Sequence, residues 1–225
     1  QVLTTNGSGA LSWANAGSSG SFSEDSGSFD NVFFGSGTCT DCDDSDGYGN
    51  NVAFGFNALS SEVTSHTGDE VHDTTLNLRN HAFGYETLKN NSAGGYNHAF
   101  GYHSMYSNTL GYYNSAFGAR TLYSNTTGDF NSAFGSRSLY SNTTGSENTG
   151  FGNNTLNFNT TGNQNTAIGR SALVNNTTAS NNVGVGYKSL YANTTGTRNV
   201  ALGSGALLAN TTGSYNISLE DSLTS

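Results

Sequence analysis

The chain has 225 residues, enough for one large domain or two small ones, yet only 33% are hydrophobic and 10% charged, with 30 glycines and no proline. Low apolar and low charged content often marks disorder, but 13 Phe and 12 Tyr argue instead for a regular stacked β architecture. A net charge of −9 argues against nucleic acid or anionic membrane as partners, and no run approaches the ~20 apolar residues of a membrane helix.

Residues 1–30 contain no copy of any repeat but include Leu11, Trp13 and Phe22. The start, Gln1-Val2-Leu3 without Met, reads as processed or excerpted. Acid is concentrated early. Residues 1–78 hold eleven Asp and Glu and no Lys or Arg, whereas 79–225 hold seven basic residues against five acids, a balance of +2. This polarity favours head-to-tail contact over head-to-head, within a screening length of about 10 Å.

Two irregular stretches follow. Cys39 and Cys42 form a C-x-x-C pair that fits a local disulfide in an oxidising compartment, since a zinc site needs two further ligands. Asp41, Asp43, Asp44 and Asp46 crowd carboxylates as calcium loops do, although Gly47 falls one place late and the distal Glu is missing. A solvated acidic loop competes with that reading. No cofactor is expected beyond this candidate calcium. After Leu59 an insertion brings His66, Asp69, Glu70, His72 and Asp73 close in sequence, either a ligand-holding loop or a plain polar one.

From here one period governs the chain. Asn80-His-Ala-Phe-Gly recurs at Asn97, Asn114 and Asn131 and continues with drift at Asn148, Asn165, Asn182, Asn199 and Asn216, at a constant 17-residue spacing. Earlier copies start at Asn31 and Asn51, with insertions of 3 and 12 residues after them. The unit is Asn-x-Ala-Φ-Gly-x-x-Ser-Leu-Tyr-x-Asn-Thr-Thr-Gly-x-x. We number its positions 1 to 17. Two glycines and many Asn and Thr make helix unfavourable. The pattern predicts a strand over positions 2–4, a turn at the glycine of position 5, a second strand over 8–10 and a wide turn at 12–15. The expected fold is thus all-β: a parallel β-solenoid (a β-roll) of about eleven coils with a 17-residue repeat and two short strands per coil. Such a rod is on the order of 50 Å long. Its organisation is a connecting segment over 1–30, insertion-bearing coils over 31–79 and regular coils over 80–225.

In this reading Phe at position 4 and Leu at position 9 fill the interior, while Ala at position 3 and Tyr at position 10 face out. Asn at positions 1 and 12 stacks into amide ladders, and the glycines at 5 and 15 adopt positive φ. Asn125, Asn142, Asn159, Asn176, Asn193 and Asn210 each open an Asn-Thr-Thr sequon in one recurring turn. These are either N-glycosylation acceptors or turn residues that cap the backbone. No nucleophile elbow, phosphate loop or clustered acid–base pair appears, so no enzyme is expected.

The motif Asn114-Ser-Ala-Phe-Gly resembles the head repeats of trimeric autotransporter adhesins, which form parallel β-rolls packed three around an axis. The units Leu122–Gly128 and Leu139–Gly145 are similar to repeats of phage tail-fibre and bacterial surface proteins of the tail-fibre type, as is the opening 1–13. The resemblance implies a fibre outside the cell or on a cell or virion surface. Two functional expectations follow. The first is a structural subunit of an extracellular filament, polymerising with itself as Leu11 and Trp13 of one copy meet Ile217 and Leu219 of the next. The alternative is a homotrimeric adhesin or receptor-binding fibre segment, packed through its Ala stripe, with surface glycans or proteins as partners. An ice- or surface-binding solenoid would need a flat exposed Thr ladder.

Overall fold

The structure, a computed structural model, describes residues 2–5, 11–14, 32–38, 51–60 and 79–219. Strands β1 (Val2–Thr5) and β2 (Leu11–Ala14) pair antiparallel as a hairpin. A second sheet of eleven strands is built from β3 (Val32–Phe34), β4 (Val52–Phe54), β5 (His81–Phe83), β6 (His98–Phe100), β7 (Ser115–Phe117), β8 (Ser132–Phe134), β9 (Thr149–Phe151), β10 (Thr166–Ile168), β11 (Val183–Val185), β12 (Val200–Leu202) and β13 (Ile217–Ser218). Every neighbouring pair is parallel and in chain order. The register joins equivalent positions, so Ala116 sits opposite Ala133 and Phe117 opposite Phe134.

The chain is therefore all-β and forms a parallel β-solenoid with a 17-residue turn. Eight such turns run from Asn80 to Asn216. The sequence expectation of eleven coils counted the two early copies and the closing partial one. Those contribute strands to the sheet, but residues 39–50 and 61–78, which would complete the early coils, lie outside the described residues.

Each turn carries one strand, not two. Positions 8–10 cannot form a conventional strand because the backbone alternates in hand there. Position 7 (Glu86, His103, Arg120) and position 9 (Leu88, Met105, Leu122) both have φ between 49° and 55°, while position 8 does not. A left-handed conformation costs an L residue about 1–2 kcal/mol. Burying a leucine completely returns about 1.5–3 kcal/mol, and Leu88, Leu122, Leu139, Leu156, Leu173 and Leu190 are fully buried. Each of these backbones also bonds to its neighbour, as when Leu122 N–H donates to Ser138 O at 3.0 Å. Burial of the leucine, with the backbone bonds that positions 7 and 9 both make, offsets the strain of the two left-handed residues.

The interior reverses one expectation. Ala53, Ala82, Ala99, Ala116, Ala133, Ala167 and Ala201 at position 3 are completely buried, and the aromatic residues at position 4 face out. A 17-residue loop encloses little space, and Leu at position 9 with Asn at positions 1 and 12 already fill it. Only a methyl group, or no side chain at Gly150 and Gly184, fits opposite.

Glycine at position 5 meets the expectation of positive φ, at +131° for Gly101 and +139° for Gly118, and a Cβ on Gly101 would lie 2.6 Å from Gly118 O. Glycine at position 15 does not share that conformation. It is small because a Cβ on Gly128 would lie 2.3 Å from Gly145 O and 2.6 Å from Asn125 Oδ1. Close approach, rather than backbone hand, selects it.

Candidate assembly surface

Two asparagine ladders hold the rod. At position 1, Asn131 N–H donates to Asn114 Oδ1 at 2.9 Å, and its side-chain amide donates to the same oxygen at 3.1 Å and to Gly145 O at 2.8 Å. At position 12, Asn142 Nδ2 donates to Asn125 Oδ1 and to Gly145 O, each at 2.8 Å. The position 1 ladder runs from Asn51 to Asn216 and the position 12 ladder from Asn91 to Asn210. No buried side-chain polar atom among the described residues lacks a partner.

The sequon asparagines are members of the position 12 ladder. Asn125, Asn142, Asn159, Asn176 and Asn193 are completely buried, and the nitrogen that would carry a sugar is the ladder donor. Attachment there would replace a bonded hydrogen and force a glycan into the interior. Asn210, in the last turn, keeps the same pair of bonds with more exposure. The Asn-Thr-Thr turn is a structural device in this fold.

The outer face of the sheet carries the feature of most functional interest. Position 4 forms an unbroken apolar stripe of Phe34, Phe54, Phe83, Phe100, Phe117, Phe134, Phe151, Ile168, Val185, Leu202 and Leu219. Phe83, Phe100, Phe117 and Phe134 stack with centroids 4.7–4.9 Å apart and interplanar angles of 2–7°. Exposure is 57% at Phe151, 40% at Ile168 and 39% at Leu202. At roughly a third of a large side chain's area on average over its eleven positions, the stripe leaves on the order of 800 Å² of contiguous apolar surface. Soluble monomers rarely expose patches above about 300–600 Å², whereas a standard protein interface buries about 800 Å² on each partner.

Shorter aromatic rows flank the rod elsewhere. Phe56, Tyr85 and Tyr102 stack at position 6, Tyr106, Tyr123 and Tyr140 at position 10, and Tyr96, Tyr113 and Phe130 at position 17. The position 10 tyrosines thus lie at the surface, as expected, while Asn157 and Val174 at the same position are buried. Cations settle on these rings, Arg79 over Tyr96 and Lys188 over both Tyr187 and Tyr191. Because the rings stack on one another, they present edges to solvent, a poor platform for a flat ligand.

Titratable groups are sparse. Glu86 bonds Lys89 at 2.7 Å and His103 at 2.9 Å. The Lys89 ammonium holds the Glu86 carboxyl below its ordinary range, and Glu86 in turn raises Lys89. Burial raises the Tyr123 phenol. Among the described residues no three His, Cys, Asp or Glu converge as metal ligands. A shallow groove beside Phe158, lined also by Asn175, Ala192 and a row of threonines, has no ionisable group.

The ends differ from the middle. β13 is the last strand of the sheet; Ile217 on it is 74% exposed, and Leu219 just beyond it 67%. Leu11 and Trp13 belong to β2, whose backbone pairs with β1 at Thr5 and Leu3. Cys39, Cys42, Asp41, Asp43, Asp44 and Asp46 lie outside the described residues, as do His66, Asp69, Glu70, His72 and Asp73.

Sequence reasoning missed the outer stripe because it took large apolar residues to be interior. A signal was present. Position 4 changes size and shape from Phe to Ile, Val and Leu, whereas position 9 stays Leu from Leu59 to Leu207 in every turn but that of Met105. A packed interior resists such changes, and a surface does not. Comparison with family models, curated proteins and solved structures finds no match to this chain.

Proposed function

We propose that this chain is a structural segment of an extracellular fibre, a stiff rod that extends by adding copies of itself end to end and performs no catalysis. The observation that carries this reading is the stacking of like on like in one register. Each turn offers the next the same acceptors and apolar side chains, down to Asn199 Oδ1, which takes the Asn216 N–H at 3.0 Å. Ile217 and Leu219 stand exposed where a further rung would cover them. The other edge of the same sheet is β3. A parallel, in-register sheet has complementary edges at its two ends, so a second copy can continue it in the same direction. The hairpin containing Leu11 and Trp13 then serves as a connecting element, and the acidic first third against the less acidic remainder fixes polarity.

A second reading draws on the outer stripe. Its exposed apolar area, on the order of 800 Å², matches what one partner of a standard interface buries. That match favours copies lying side by side, as in a trimeric adhesive fibre. The surface used would be the position 4 stripe in place of the alanine stripe.

Negative-stain imaging of the purified full chain distinguishes the two. End-on assembly gives thin filaments many molecules long, which shorten when Ile217 and Leu219 are changed to Lys or when residues 1–14 are removed. Side-by-side assembly gives short rods of uniform length whose mass is a multiple of one chain, and these dissociate when Phe117 and Phe134 are changed to Ser. Isolated single rods at high concentration, unaffected by any of these changes, would refute both.

A further inference from the structure

Position 2 side chains project from the outer face of the sheet beside the apolar stripe. In most turns this position is Ser, Thr or an aliphatic residue, but β5 and β6 place histidine there in two successive rungs. His81 and His98 are register partners. Their Nδ1 atoms lie 3.0 Å apart, with ring centroids at 4.6 Å and planes at 78°. The rungs on either side offer Val52 and Ser115 at the same position.

We propose that His81 and His98 form a two-imidazole site for a divalent transition-metal ion of the copper, nickel and zinc class. Their spacing is right for one. An ion bound at about 2.0–2.1 Å by each of two imidazole nitrogens, with the square or tetrahedral angles such ions prefer, holds those nitrogens roughly 2.8–3.4 Å apart. The observed separation falls in that interval. Both nitrogens are the same atom of the ring, and the backbones that carry them are locked into the sheet, with His81 N–H donating to Asn97 O and His98 N–H to Asn114 O, each at 2.8 Å. The backbone that carries the two rings therefore needs no further ordering on binding.

Exchange of a ring hydrogen frees both nitrogens for the ion, since a metal takes imidazole in its neutral form. In the neutral pair one Nδ1 carries the hydrogen and the other accepts it. On binding, that hydrogen leaves Nδ1 and, through solvent, a hydrogen is placed on Nε2 of the same ring. Both Nδ1 lone pairs then face the ion, water fills its other positions, and no net proton is released above the histidine range. The remaining described histidine, His103, is engaged by Glu86 and stands apart.

The test is titration of the purified full chain with copper(II) chloride in a non-coordinating buffer, followed by calorimetry and electron paramagnetic resonance. The expected result is one ion per chain with hyperfine coupling to two nitrogens, and a heat that does not depend on the ionisation enthalpy of the buffer. H81S and H98S copy the serine that Ser115 and Ser132 supply at the same position, so the fold is retained and circular dichroism checks that it is. Each should lose the paired coupling and weaken binding by more than the roughly 10–100-fold that loss of an outer-shell partner costs. H103A and the double variant H66A/H72A should bind as the parent does. Paired coupling that survives in H98S, or a parent chain that binds no copper, would overturn the assignment.

Discussion

The asparagine ladders and the position 4 stripe repeat with the same period, yet the two regions tolerate change differently. Between Asn80 and Asn216 position 1 is Asn in every turn, and position 12 is Asn from Asn91 to Asn210. Position 4 passes from seven phenylalanines to Ile168, Val185, Leu202 and Leu219. The difference lies in what each region must supply. A ladder asparagine accepts through its carbonyl oxygen while a separate NH2 group donates two bonds, and no other side chain of that length carries both groups. The stripe needs only apolar area in line with its neighbours. Direction is enforced inside, and oily contact suffices outside.

That contrast can be broken most forcefully at a single inner residue. Asn131→Ala strands the Asn148 N–H and removes the side-chain bonds to Asn114 Oδ1, to Gly145 O and from Asn148 Nδ2. At about 1–3 kcal/mol for the stranded group and about 1 kcal/mol for each of the three other bonds, the variant should lose roughly 4–6 kcal/mol in urea unfolding. Next comes Leu139→Ala, in the fully buried row, with an expected loss of about 2–5 kcal/mol by the same measurement. Outside, Phe117→Ala should cost only about 1 kcal/mol, since the ring is already partly exposed. Phe117→Leu should be close to neutral in stability while still supporting assembly. If the outer substitution proved as damaging as the inner ones, the division between the two regions would collapse.

The smallest effect is one of pH. His98 sits below its ordinary value of 6.5, so as pH falls through that value the unfolded chain takes up a proton that the folded one resists. Stability present at neutral pH is therefore lost on mild acidification, and H98S should flatten that part of the profile. Glu86, held below its ordinary 4.5, adds a second loss as pH drops through the lower range. Thermal midpoints across pH 7 to 3 for parent and H98S check both.

Much of this fold was legible because the same residues recur at a 17-residue interval. The period alone implies one layer per unit, and Asn with Leu at constant positions implies stacked ladders and a filled centre. Three features were hidden for physical reasons. Leu122 and its equivalents occupy left-handed backbone, which their intrinsic preference opposes, so no local rule marks positions 8–10 as anything but a strand. Ala116 lies inside because Leu and Asn from the rest of the turn use the space, a fact of closure that strand alternation cannot express. His81 and His98 become a pair only when residues one repeat apart are placed side by side. The surface was harder to read than the core, since exposure leaves residue choice less constrained.

One rung is added for each 17-residue unit, and the proposed fibre rests on that. The threonine of position 14 lies on the outside at Thr127, Thr195 and Thr212. Spin labels on cysteines at these positions, in a chain with Cys39 and Cys42 changed to Ser, allow the rise to be measured by pulsed dipolar spectroscopy. The Thr127 and Thr195 pair should lie about 19 Å apart and the Thr127 and Thr212 pair about 24 Å, a rise of one inter-strand spacing per repeat. Equal distances for the two pairs, or a separation that does not grow by one rung per repeat, would contradict the rod and the fibre built from it.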